Sequence, residues 1–182
     1  ALYQNTAGNG NTALGTLTLS NNIGGNYNTT IGYAANTSAP NLNNATAIGN
    51  NAIVNNNNKI RLGSTTVTNI EGPVVYTVSD ARFKTSINAK EVKGLEFIKR
   101  LRPVVYNFDT KKFQEFLVHN MSVDVQKEYL NKDFSASTVI RQSGFIAQEV
   151  EKAAQEVEYD FNGVHKPENP NDNYSLAYSQ FV

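Results

Sequence analysis

The most constraining feature of this chain is a short word that returns at a fixed step. Asn11-Thr12-Ala13-Leu14-Gly15 recurs as Asn28-Thr29-Thr30-Ile31-Gly32 and again as Ala45-Thr46-Ala47-Ile48-Gly49, each 17 residues on. A shorter step leads to Asn58-Lys59-Ile60-Arg61-Leu62-Gly63. Thr and Ile favour strands, whereas Gly and Asn accept the left-handed backbone of tight turns. One such unit buries almost nothing alone, so a short fixed period implies stacked units sharing a core. The apolar content per unit is small: Leu14, Ile31 and Ile48, with Leu17, Leu19, Ile53 and Val54 as lesser partners. A single-chain solenoid with these residues as its core is expected to be marginal. Three chains pressing the rows together around an axis would remedy that, so residues 1–63 read as an all-β trimeric fibre. Low-complexity polar tracts are also commonly disordered, but disorder does not explain Leu or Ile before Gly at constant spacing.

Charge divides the chain at a second level. Residues 1–58 contain no Asp, Glu, Lys or Arg, and 29 of the 32 charged residues lie in 80–182. The net charge is zero, so no global field draws the chain to nucleic acid or to an anionic membrane. With no Cys, disulfides and thiolate metal sites are excluded. No apolar run approaches the roughly 20 residues that span a bilayer, and no signal peptide opens the chain. The opening Ala1-Leu2-Tyr3-Gln4-Asn5-Thr6 stands in mid-pattern, as expected of a fragment of a longer protein.

Residues 64–78 read as two strands around a Glu-Gly-Pro turn, a connector between the repeat and the charged half. Beyond it the pattern predicts a helix over 92–101, ending before Pro103, and a strand over 104–108. An amphipathic helix is expected over 110–131, a strand over 140–145, a helix over 146–156 and a short strand over 157–161. A Pro/Asn/Asp loop is expected over 162–173, and 179–182 resembles the first turn of a helix. That mixture predicts a compact α+β module over 79–182.

The chemistry sits at the joint, Ser79-Asp80-Ala81-Arg82-Phe83-Lys84. A serine nucleophile needs a base. His119 and His165 are the only histidines, and nothing brings either close; both read as surface or structural residues, with no metal or other cofactor expected. Lysine replaces histidine as base when its amine is desolvated and its pKa lowered. Ser79 and Lys84 are five apart, so one turn of backbone brings amine to hydroxyl. The peptide Val78–Ser79 would then be attacked by its own serine or by one from a neighbouring chain. From spacing alone this signal is weak, because Ser-x-x-x-x-Lys is common and Ser79-Asp80 reads first as a plain turn cap.

The surrounding words are more specific. Val78-Ser79-Asp80-Ala81-Arg82-Phe83-Lys84-Thr85-Ser86-Ile87 comes first. After it stand Gly94 to Phe108 (GLEFIKRLRPVVYNF), Gly144 to Ala153 (GFIAQEVEKA) and Tyr174 to Val182 (YSLAYSQFV), in that order. Together they resemble the intramolecular chaperone domain of endosialidase type, which ends phage tailspikes and tail fibres. The repeat words resemble the heads of trimeric autotransporter adhesins, with a trimeric β-roll or β-prism implied. The chaperone resemblance implies a homotrimer whose C-terminal domain helps the β-fibre fold in register and then releases itself by single-turnover autoproteolysis at Val78–Ser79. It implies Ser79 as nucleophile and Lys84 as base, with Asp80 supporting the turn. Gln148 and Glu149 lie in a family word but read equally as a polar helix start. Family members continue into a long C-terminal coiled-coil helix, which is not seen before Val182.

The location implied is a virion tail fibre or a cell surface, with no nucleic acid partner and no membrane insertion. Two other readings stay open: an uncleaved C-terminal domain retained as a receptor-binding tip, for which the loop 162–167 and exposed tyrosines are suited, and a purely structural fibre end.

Overall fold

The computed structural model describes residues 1–71 and 79–181. In chain order the strands of the repeat are β1 (Thr12–Leu14), β2 (Thr29–Ile31), β3 (Asn36–Thr37), β4 (Thr46–Ile48), β5 (Ile53–Val54) and β6 (Ile60–Leu62). Next come α1 (Gly94–Ile98), β7 (Val104–Asn107), α2 (Thr110–Val118), α3 (Val123–Leu130), α4 (Ser135–Thr138), β8 (Arg141–Gly144), α5 (Ala147–Glu156), β9 (Val164–His165) and β10 (Ser175–Leu176). Two compact units result. The first holds residues 1–68, 107–141 and 168–172; the second holds the described residues of 69–106, 142–167 and 173–182.

In the first unit the repeat is a stack of coils within one chain. Strands β1, β2, β4 and β6 form a parallel sheet in that order, with Thr12, Thr29, Thr46 and Ile60 level across it. A second parallel pair joins β3 to β5, with Asn36 level with Ile53. The register is therefore the sequence period, two steps of 17 and a last step of 14. Gly15, Gly32 and Gly49 come directly after the first three strands of the sheet, at φ +129, +121 and +118. A Cβ on Gly32 would lie 2.7 Å from the Gly49 carbonyl carbon, so glycine is required where coils approach this closely.

The interior of the coils differs from expectation. Leu14, Ile31, Ile48 and Leu62 face outward, from 36% exposed at Ile31 to 66% at Leu14, and Leu17 is also exposed. The enclosed residues are small: Ala35, Ala45, Ala47, Ala52 and Val54, with Leu42 packed against them. The reason is the two-residue period of a strand. In a three-residue strand the middle residue points opposite to its neighbours, and the middle of β2 and β4 is Thr30 and Ala47, both fully buried. Leu19, Ile53 and Val54 are buried as expected.

Asparagine supplies what the thin apolar core cannot. Asn28 N–H donates to Asn11 Oδ1 and Ala45 N–H to Asn28 Oδ1, each at 2.9 Å. An outer ladder runs Asn9, Asn26, Asn43, Asn57, the backbone N–H of each of the first three donating to the Oδ1 of the next at 2.8–2.9 Å. Turn amides that no strand can pair are satisfied this way, coil after coil.

Residues 107–141 and 168–172 fold onto this stack, whereas the charged half reads in sequence as one module. The helix expected over 110–131 is broken into α2 and α3 at residues 119–122. Gln126 Nε2 donates to the carbonyls of His119 (3.2 Å) and Met121 (2.7 Å) at the break. The turn lets Leu117, Val118, Met121 and Tyr129 bury together against Ala34 and Ile53, with Phe113, Phe116, Val125 and Leu130 around them. That burial outweighs the lost helical hydrogen bonds. The Tyr129 hydroxyl donates to the Ala34 carbonyl, Thr65 Oγ1 donates to Gln114 Oε1 at 2.9 Å, and the Arg61 guanidinium lies 5.1 Å from the Phe113 ring centre. Asp172, whose side chain is fully enclosed, accepts from Lys59 Nζ at 2.9 Å and Asn56 Nδ2 at 3.0 Å.

The second unit is a small α/β module. Its core is Phe97 of α1 with Val150, Ala153 and Ala154 of α5 and Val157, ringed by Leu101, Phe145, Tyr159, Phe161, Val164, Leu176 and Phe181. The spacing Val150, Ala153, Ala154 is one face of a helix. Strands β7 and β8 pair, and β9 pairs antiparallel with β10. The strand expected over 157–161 is absent, because Val157 caps α5 and Glu158 turns the chain at φ +51. Of the expected 64–78 strands, residues 64–71 hold none, and 72–78 lie outside the described residues. No helix among the described residues is long and apolar enough to cross a membrane.

Candidate functional site

The joint residues 79–84 form one tight turn. Asp80 starts it in extended backbone and accepts the Arg82 N–H through Oδ1 at 2.9 Å. Phe83 N–H then reaches the Asp80 carbonyl and Lys84 N–H the Ala81 carbonyl, both at 3.1 Å. These bonds make the 3-10 turn Ala81–Phe83, after which Lys84 returns to extended backbone. An aspartate at the first position satisfies amides that such a turn leaves unpaired. As a result the Lys84 side chain folds back, and Lys84 Nζ donates to Ser79 Oγ at 2.7 Å. Both residues are exposed in the single chain. Val78, the other side of the expected scissile bond, lies outside the described residues.

Asp80 has a partner that its position in the sequence did not announce. The Arg82 guanidinium grips its carboxylate through Nε at 3.0 and 3.1 Å and an NH2 group at 2.6 Å. Those bonds hold the Asp80 carboxyl below the usual carboxylate range. The guanidinium carbon also lies 5.5 Å from the Phe83 ring centre.

The structure also places the remaining candidates, with Gln148 exposed in the first turn of α5. Glu149 receives Arg102 Nε at 3.1 Å and an Arg102 NH2 group at 2.5 Å, so it ties α5 to the segment before β7. Its partner is 47 residues away, which no local spacing discloses. His119 Nδ1 sits 2.6 Å from the Phe116 carbonyl and its ring stacks on Phe116. His165 lies in β9, level with Ser175 of β10. In the loop 162–167, Lys166 Nζ pairs with Glu151 at 2.5 Å, and Tyr174 OH donates to the same carboxylate at 3.0 Å. The Lys166 and Tyr174 hydrogen bonds hold the Glu151 carboxyl below its ordinary range. No group of three or more His, Cys, Asp or Glu among the described residues is placed to hold a metal ion.

Residues 79–159 match the family model described as chaperone of endosialidase, Peptidase S74. That stretch, a little under half of the chain, is similar to the intramolecular chaperone domain of the endosialidase type. The match begins at Ser79, the residue whose hydroxyl Lys84 meets. It ends at Tyr159, short of the Tyr174–Val182 word. No curated protein and no solved structure matches the chain.

Proposed function

We propose that this chain is the C-terminal part of a trimeric tail fibre or surface adhesin, and that its chaperone domain sets the register of the repeat and then cuts the Val78–Ser79 bond. The observation that carries the cleavage reading is the 2.7 Å contact between Lys84 Nζ and Ser79 Oγ at the first residue of the matched stretch. Neutral Lys84 takes the Ser79 hydroxyl proton as Oγ adds to the Val78 carbonyl carbon. The Val78–Ser79 C–N bond then breaks, the lysine proton passes to the released amine, and water hydrolyses the Val78 ester. The amine is a base only when neutral, so the reaction waits until neighbouring chains desolvate the joint.

The need for a chaperone arises from the stack. Its coils are nearly alike, so chains slipped by one unit lose little locally. The exposed row Leu14, Ile31, Ile48, Leu62 supports assembly, since it offers one apolar side chain per coil at strand spacing to the same row of two further copies. Within a chain, Tyr129 on Ala34 and Gln114 on Thr65 anchor the helical segment to particular coils. Cutting afterwards leaves a fibre held by its unfolding rate rather than by equilibrium.

A denaturing gel of freshly made protein tests this directly. Two bands are expected, with masses of fragments ending at Val78 and beginning at Ser79, reverting to one band in Ser79→Ala and Lys84→Ala. Intact wild-type chain after prolonged incubation, as a trimer by light scattering, rejects the cleavage and leaves a retained tip.

A further inference from the structure

Asp80 is the natural competitor for the Lys84 amine. It stands at the start of the turn that Lys84 ends, and it adjoins the proposed nucleophile. A carboxylate paired with Lys84 would hold the amine protonated and draw it off Ser79. In the structure Lys84 passes Asp80 by and meets Ser79 Oγ. The reason is on the same turn. An ionised carboxylate offers about four acceptor sites, and Arg82 fills them: its backbone N–H and Nε reach Oδ1 at 2.9 and 3.1 Å, its Nε and NH2 reach Oδ2 at 3.0 and 2.6 Å. Among the described residues no other charged group pairs with Asp80, Arg82 or Lys84.

We propose that Arg82 is a positioning residue: it sequesters the Asp80 carboxylate and thereby leaves the Lys84 amine to Ser79. Arg82 touches neither the hydroxyl nor the scissile bond; it acts through Asp80. Lysine would not replace it, because only the planar guanidinium spans both oxygens from two residues away. The consequence for cleavage rests on the Ser79–Lys84 reading above, whereas the positioning itself does not.

The test uses the full chain as wild type, Arg82→Ala and the double variant Arg82→Ala with Asp80→Asn. Asparagine still caps the turn but carries no charge to capture the amine. Two readouts are taken: the rate at which the intact band is lost, and the Lys84 side-chain titration by carbon-detected NMR in chains that also carry Ser79→Ala. Arg82→Ala is expected to let Asp80 draw the amine off Ser79, displacing the measured Lys84 midpoint from that of wild type and slowing cleavage about two- to fivefold. The added Asp80→Asn is expected to restore both. A turn that had merely lost its brace would not be mended by removing a second charge. An unmoved Lys84 midpoint in Arg82→Ala, or a double variant no better than the single, overturns the proposal. If no version cleaves, the cleavage reading falls, and the titration still upholds or overturns the positioning.

Discussion

Gly32→Ala probes the closest approach between coils. Gly32 has φ +121, a region that side chains rarely enter, and its Cβ would lie 2.7 and 2.8 Å from the Gly49 carbonyl carbon and oxygen and 3.1 Å from Asn50 N. All three neighbours are backbone of the next coil, so none swings aside. The backbone strain costs about 1–3 kcal/mol. Forcing the coils apart adds about 1–3 kcal/mol, as overpacking does. The stiffer unfolded chain returns about 0.4–1 kcal/mol, so the net loss is about 1–5.6 kcal/mol. Gly24→Ala is the matched control in the same unit. Its φ is not positive, and its only near neighbour is a side-chain oxygen, Asn41 Oδ1, at 3.1 Å. That change is expected to stay within about 1 kcal/mol. Urea unfolding monitored by circular dichroism gives both midpoints. Equal shifts for the two variants would refute the claim that coil spacing leaves no room for a side chain at the Gly32 row.

Two further outcomes test the first unit. Tyr129→Phe keeps the ring but leaves the buried Ala34 carbonyl without its hydroxyl donor. It is expected to destabilise the unit by about 1–3 kcal/mol in the same assay, and an unchanged midpoint would show that this bond does not anchor the helical segment. Half-burial lowers the Lys132 pKa from 10.5 to about 8. The folded chain therefore releases this proton before the unfolded chain does, so stability should rise with pH from about 8 towards 10.5 and Lys132→Met should flatten that rise. Tyr33 and Tyr129, both raised above 10, work in the opposite direction at the alkaline end. A wild-type slope identical to that of Lys132→Met between pH 8 and 10 would contradict the assignment.

The sequence by itself determined what is local or periodic. The 17-residue step became the strand register, because equal units stacked in parallel place equivalent residues level. The five-residue step from Ser79 to Lys84 became a contact, because one aspartate-capped turn needs only its own backbone to close. The helices around Phe97 and over Ala147–Glu156 were legible from apolar spacing. Only the tertiary structure decided the rest. A three-residue strand is too short to display which of its faces is buried, so Leu14, Ile31 and Ile48 were expected inside and stand outside. Residues 110–131 carry a continuous helical pattern, and only packing against Ala34 and Ile53 divides it at His119–Ser122. Glu149 pairs across 47 residues, Tyr129 across 95 and Asp172 across 113, distances at which sequence spacing carries no signal. Local turns and repeats close with neighbouring residues and can be read in a line, whereas burial and distant pairing depend on which surfaces the folded chain brings together.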